Sequence, residues 1–305
     1  MKKFICRSAC VLILFAPFFS EAQTNVLFER TSVYHQIQVY DYDGLRTLSF
    51  NGSWETTMSL TNPLAGHFEY TEYFQMPWLW NHDIKRVLMV GLGGGSTPRA
   101  YQHYYPKVMV DMVEIDPMVV DVAKKYFTVA ESPTFKINIE DGRLFLRRST
   151  NIYDVILMDA YSTKKPYGST LPRELVTKEF FTLASQHLST NGVFAYNVIG
   201  QLKGTRATLV GAMYRTMSEV FPHVYMFPAV ESQNIVFVAT KSVEPFNYTR
   251  AAAEAYKLIN SGAVTVPTFS LRVKSFMDQA PPTAATSPLL TDDYAPIESL
   301  LQGTQ

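Results

Sequence analysis

Four short runs of branched apolar residues constrain this chain more than any other feature: RVLMV (86–90), KVMVDMVE (107–114), TFKINIE (134–140) and YDVILMD (153–159). Between them lie helical patterns at PRAYQHYY, PMVVDVAKKYF and GRLFLRR. A sheet with one wet face would show polar residues at every second position. Continuous apolar strands alternating with helices instead require a parallel sheet covered on both faces. A further unit extends the pattern, with a helix near Thr177–His187, a strand at Gly192–Val198 and a helix at Thr205–Phe221. Strands at Val224–Phe227 and Asn234–Ala239 then follow too closely for a crossover helix, which predicts an antiparallel hairpin. The fold class is therefore α/β, a mostly parallel sheet ending in an antiparallel hairpin.

Upstream the texture is different. VYHQIQVY, LRTLSF and SWETTMSL are joined by Asp43-Gly44 and Asn51-Gly52, which predicts two successive β-hairpins. From His67 to Trp80, aromatic and apolar residues recur at helical spacing. The Pro/Ala/Thr-rich stretch Ala280–Ser287 reads as a surface loop. Three segments result: 1–22, a small N-terminal β-hairpin domain with an aromatic helix over 23–80, and the larger α/β domain over 81–305.

The first of these reads as an address. Lys2, Lys3 and Arg7 precede an apolar stretch from Ala9 to Phe19, and Ser20-Glu21-Ala22 sets small residues at a cleavage site before Gln23. A stretch of about 11 residues is short of the roughly 20 that span a bilayer, so no stable span is expected after cleavage. The expected location is exported, periplasmic or secreted; an uncleaved anchor or a misassigned start, leaving a cytoplasmic protein, is the alternative. Both cysteines, Cys6 and Cys10, fall inside this segment.

Composition narrows the ligand. Basic and acidic side chains balance at 27 each, with no Lys/Arg run longer than two, so nothing marks a nucleic-acid partner. The 6 histidines include no i, i+4 pair and no neighbouring thiol, so no metal is expected. A small molecule is the expected partner.

Strand RVLMV runs into Gly91-Leu-Gly-Gly-Gly-Ser96, with Pro98 ready to begin a helix. Gly91, Gly93, Gly94 and Gly95 permit close backbone approach to a ligand, and Glu114, at the end of the second strand, can accept ribose hydroxyls. Asp116 could instead cap the following helix. Asp141-Gly142 ends the third strand at the same edge, where Asp141 either meets an adenine amine or caps the helix after it. Asp159 ends the fourth strand. Three carboxylates on successive strand ends favour a cationic ligand.

With G-x-G-G-G, VEIDP, DGR and the strand ending in Asp159, the sequence resembles the spermidine synthase (polyamine aminopropyltransferase) family. The resemblance extends to SVYH, FEYTE, TKEFF and LTDDYAPIE. It implies a methyltransferase-like Rossmann sheet and transfer of an aminopropyl group from decarboxylated S-adenosylmethionine, as co-substrate, to a diamine such as putrescine, releasing methylthioadenosine. It also implies a homo-oligomer, since family members are commonly dimers or tetramers. An amine near pKa 10 is protonated at pH 7, so a positioned base is needed, and Asp159 is the candidate. Tyr70, in FEYTE, matches the tyrosine that holds or helps deprotonate the attacking amine; otherwise it is one more aromatic in an apolar helix.

The pattern breaks in places. The acid of the family's glycine loop, which pairs with the donor's amine, is here Gly94, and the second acid of its D-x-x-D stretch is Ser162. Two glutamines become His35, still expected at the nucleotide, and Thr71. A second tyrosine, expected near Pro228, falls at Val230. Glu69, Glu72, Asp292 or Asp293 could restore the charge, and the LTDD loop either folds over the crevice or caps the helix after it. The losses leave two alternatives open: a methyltransferase using ordinary S-adenosylmethionine, and an exported protein that binds a nucleotide or polyamine without catalysis.

Overall fold

A computed structural model describes residues 24–164 and 168–302. The expected signal segment lies outside the described residues. The chain opens with four antiparallel strands, β1 (Asn25–Thr31), β2 (Gln36–Tyr42), β3 (Leu45–Phe50) and β4 (Ser53–Ser59), paired in sequence order. Both expected hairpins are present. Asp43, Gly44, Asn51 and Gly52 all take positive φ, the backbone that a tight two-residue turn between twisted strands demands. Strand β1 is an addition: FERT carries no period-2 alternation of its own, and pairing with β2 makes it a strand.

A 3₁₀ helix over Glu69–Leu79 follows, where the spacing predicts an α-helix. Pro77 has no N–H to give, and its ring opposes the carbonyl four residues back, so α-helical winding is blocked there. Tyr73, Phe74 and Met76 have no exposed surface and join the main core.

The large sheet is made of β5 (Arg86–Val90), β6 (Met109–Glu114), β7 (Phe135–Ile139), β8 (Tyr153–Met158), and, after the short hairpin β9 (Ser162–Lys164) and β10 (Gly168–Thr170), β11 (Leu188–Ile199), β12 (His223–Ala229) and β13 (Asn234–Thr240). Its order is β12-β13-β11-β8-β5-β6-β7. Strands β11, β8, β5, β6 and β7 are parallel, and β13 runs antiparallel between β11 and β12. The α/β sheet with its antiparallel hairpin is as the sequence predicts.

Helices α1 (Ser96–Tyr104), α2 (Pro117–Tyr126), α3 (Gly142–Arg148), α4 (Lys178–Gln186), α5 (Ala207–Ser218), α6 (Tyr248–Asn260), α7 (Phe269–Val273) and α8 (Ile297–Gln302) cover the sheet. Along β5, Val87 and Met89 enter one core while Leu88 and Val90 enter the other, the two-residue period of a strand buried on both faces. The N-terminal sheet has its own cluster, in which Ile37, Val39 and Leu48 meet Val119, Val122 and Phe127 at α2. Ala280–Ser287 is a loop, but not one lying free on the surface. Thr283 donates to the Ala207 carbonyl at 2.7 Å, Arg215 to that of Ser287 at 2.6 Å, and Ser287 is fully buried.

Chain order reverses between β5 and β8: β6 and β7 lie on one side of β5, β8 and β11 on the other. The carboxyl ends of β5 and β8 therefore bound the crevice that open α/β sheets offer to ligands.

Candidate active site

The crevice is a cavity of about 370 Å³, lined by residues that include His35, Tyr70, Gly91, Gly93, Glu114, Asp141, Gly142 and Asp159. That is room for a small organic ligand. Most residues singled out from the sequence therefore meet at one place, although they span 125 positions from His35 to Asp159.

The glycine turn is dictated by what stands beside it. Gly91 has φ +95°, and a Cβ there would lie 2.3 Å from the carbonyl oxygen of Asp159. Strands β5 and β8 approach so closely at their ends that only glycine fits. The Asp159 N–H donates to the Val90 carbonyl at 2.8 Å, so the turn and the carboxylate are held by one ladder. Gly142 has the same constraint, since a Cβ would stand 2.5 Å from Val90 Cγ1. Gly95 precedes the first turn of α1 in the left-handed region.

Glu114 is 8 % exposed, and each of its oxygens already accepts a backbone N–H, from Leu92 at 2.9 Å and from Asp116 at 3.0 Å. Burial raises its pKa, and these two bonds oppose the rise. Its carboxylate thus clamps the glycine turn to the end of β6 and keeps acceptor positions for a ligand, because a carboxylate can take about four hydrogen bonds. Asp116 takes the capping role: its side chain accepts from Met118 N–H at 2.9 Å and from the Ser32 hydroxyl, which ties β1 to α2. Asp141 lines the cavity and also caps α3, accepting from Leu144 N–H at 2.8 Å. His35 stacks on Phe50 with centroids 4.3 Å apart. Burial lowers its pKa, so the ring is neutral.

Asp159 is the most elaborately held group. Tyr70 donates to one oxygen at 3.2 Å, and Asn197 Nδ2 donates to the other at 2.9 Å. Asn197 is itself oriented by Asn234, whose Nδ2 donates to Asn197 Oδ1 at 2.9 Å. Burial pushes the Asp159 carboxyl up to about 6, against the pull of Asn197 and Tyr70. A buried carboxylate poised near 6 and fixed by two donors suits a general base. Tyr70 is pushed far above its usual range by burial and by the Asp159 charge, so it remains a hydroxyl donor.

The sequence did not point to Asn197, Asn234, Tyr161 or Glu55. Tyr161 donates to the Asn197 carbonyl at 2.8 Å and bounds the cavity. Asn197 had a signal, a lone amide inside the apolar run VFAYNVIG, where an unpaired polar group would be costly. Glu55 had none. None of the residues expected to restore lost charge lines this cavity. Arg272 donates to both Glu69, at 2.7 Å, and Glu72, beside a second cavity. Asp292 accepts from Arg143 and from Thr177, joining the LTDD loop to α3 and α4, and neither it nor Asp293 lines the first cavity. Val230 is 83 % exposed.

The chain as a whole is similar to known proteins. The model of the spermine/spermidine synthase domain matches residues 67–249. The chain is 28 % identical to a polyamine aminopropyltransferase of Vibrio vulnificus, over 96 % of both chains. It superposes on a probable spermidine synthase from Corynebacterium glutamicum with a TM-score of 0.69 at 21 % identity, covering 88 % of this chain and 98 % of that one. Human methyltransferase-like protein 13, solved in complex with SAH, superposes with a TM-score of 0.54 at 26 % identity, covering 63 % of this chain and 87 % of that one. A reversing parallel sheet, a glycine turn locked against an aspartate, and a family match across all seven strands of that sheet converge: the chain belongs to the spermine/spermidine synthase family.

Proposed function

We propose that the protein transfers an aminopropyl group from decarboxylated S-adenosylmethionine to a small amine, releasing methylthioadenosine. The observation that carries this reading is Asp159, a buried carboxylate between Tyr70 and Asn197 in the same cavity as Glu114 and Asp141. The adenosine would lie along the glycine turn, with its ribose at Glu114 and its base toward Asp141. The attacking amine would lie at Asp159 and Tyr70. Asp159 takes the amine proton, nitrogen bonds to the carbon beside the sulfonium, and the carbon–sulfur electron pair returns to sulfur. Freeing the lone pair of an amine near pKa 10 at pH 7 costs roughly 4 kcal/mol, which is the work asked of the base.

Purified protein given the decarboxylated donor and putrescine is expected to release methylthioadenosine, and absence of product with every diamine tried would overturn the reading. Gly94 favours a second reading, methyl transfer from ordinary S-adenosylmethionine. Calorimetric titration with both nucleotides separates them, and tighter binding of the decarboxylated form removes the second.

We also propose that the protein acts outside the cytoplasm, on the strength of the segment 1–22. N-terminal sequencing of the mature protein from the producing cell is expected to begin at Gln23. An intact N-terminus recovered from the cytosol would refute export.

A further inference from the structure

The cavity has an acid that neither the family pattern nor the sequence led us to expect. Gly94 N–H donates to Thr56 Oγ1 at 2.9 Å, and a Cβ on Gly94 would lie 2.6 Å from Thr56 Cγ2. Strand β4 thus occupies the space into which a side chain at position 94 would grow. The residue before Thr56 is Glu55, which lines the cavity and accepts from the Ser169 hydroxyl at 2.8 Å. Ser169 pairs across the β9–β10 hairpin with Thr163, the neighbour of Ser162. Glu55 therefore enters the cavity from the strand that closes Gly94 and is bonded to the hairpin that carries Ser162.

Its surroundings identify what it would hold. Among the described residues lining the cavity, Glu55, Glu114, Glu140, Asp141, Asp159 and Glu174 face a single Lys or Arg, Arg173. Burial pushes the Glu55 carboxyl up to about 7, Ser169 opposes the rise, and the Asp159 charge adds to it. Tyr70 and Tyr161, which line the cavity with Asp159, both feel the Glu55 charge, so Glu55 faces the end where the proton is taken. Two carboxylates crowded together out of water are relieved by a cation. A diamine brings one that lasts: Asp159 deprotonates one amine, and the other stays charged and would be costly to bury without a counter-ion.

We propose that Glu55 is the counter-ion for the non-reacting ammonium of a diamine acceptor and so sets the preference for diamines over monoamines. This rests on the aminopropyl-transfer reading. Glu55→Gln keeps the shape and the bond from Ser169 while removing the charge. With putrescine it is expected to raise KM by about 10- to 100-fold, the range for a lost charged hydrogen bond, with most of the effect in KM and not in kcat. The preference for putrescine over n-butylamine should fall by a similar factor. An unchanged KM for putrescine, or a rise confined to the donor's KM, overturns the assignment. Titration of putrescine onto protein saturated with methylthioadenosine reads Glu55 without turnover. The same weakening is expected in Glu55→Gln, with a smaller one in the second variant, Ser169→Ala, and equal affinities in all three proteins overturn the proposal. A wild-type protein that makes no methylthioadenosine refutes the aminopropyl reading alone, because the titration still decides whether Glu55 holds the diamine.

Discussion

At the glycine end of the cavity a ligand would meet backbone and carboxylates that stand within a few residues of their own strand ends. At the amine end it would meet side chains gathered from far apart, Glu55 on β4, Tyr70 on the 3₁₀ helix and Asp159 after β8, the last held from behind by Asn197 on β11 and Asn234 on β13. Tyr70 and Asp159 are 89 residues apart in the chain and Asn197 is 38 beyond Asp159. The two ends are free to vary to different degrees. A turn packed against the carbonyl of Asp159 has no substitute for glycine, whereas a charge needed at one point can arrive from any strand that reaches it. The glycine end is accordingly pinned at Gly91 and Gly142, whereas Glu55 reaches the cavity from a strand of the N-terminal sheet.

The largest effect tests the amine end. Asp159→Asn keeps the shape and removes the base, and methylthioadenosine release is expected to fall by about 10³-fold with the melting temperature little changed. At the glycine end the loss should appear in stability instead. Gly91→Ala puts a Cβ against Asp159 at φ +95° and is expected to cost about 3 kcal/mol in urea unfolding. A variant as stable as wild type would contradict the close approach of β5 and β8.

Gly94→Asp restores the family's acid and is expected to destabilise by about 2 kcal/mol, because Thr56 is in the way. Adding Thr56→Ala should recover part of that loss, and full stability of Gly94→Asp alone would show that β4 does not close the position. The smallest effect is in the pH profile. Activity should fall as pH drops through about 6, where the Asp159 base takes up a proton. Asn197→Ala removes a donor that favours the charged carboxylate, so the acidic limb should move to higher pH and activity at pH 6 should fall by about 10-fold. An unmoved limb would deny Asn197 its part in holding the base.

The strands and helices of the large sheet could be read from the sequence because their signals are local. Burial on both faces leaves an unbroken apolar run, and the helices between carry their own caps, as at Asp116 and Asp141. The 3₁₀ helix is legible as a helix but not by its winding, since Pro77 acts against the pattern of the aromatic spacing. Glu55 in SWETTMSL looks like any acid on a strand, and Glu69 and Glu72 look as available as it does. Only the folded chain shows Arg272 taking the latter two and leaving Glu55 at the cavity.

By itself the sequence determined the alternating α/β architecture, the glycine turn and the carboxylates at successive strand ends, because hydrophobic periodicity and backbone sterics act over a few residues. Which side chains complete the amine end was decided by tertiary structure. Whether Asn197 reaches Asp159, Asn234 backs Asn197 and Glu55 shares the cavity with Asp159 depends on how β4, β11 and β13 are laid against β8, and electrostatic contact follows distance in space, not along the chain.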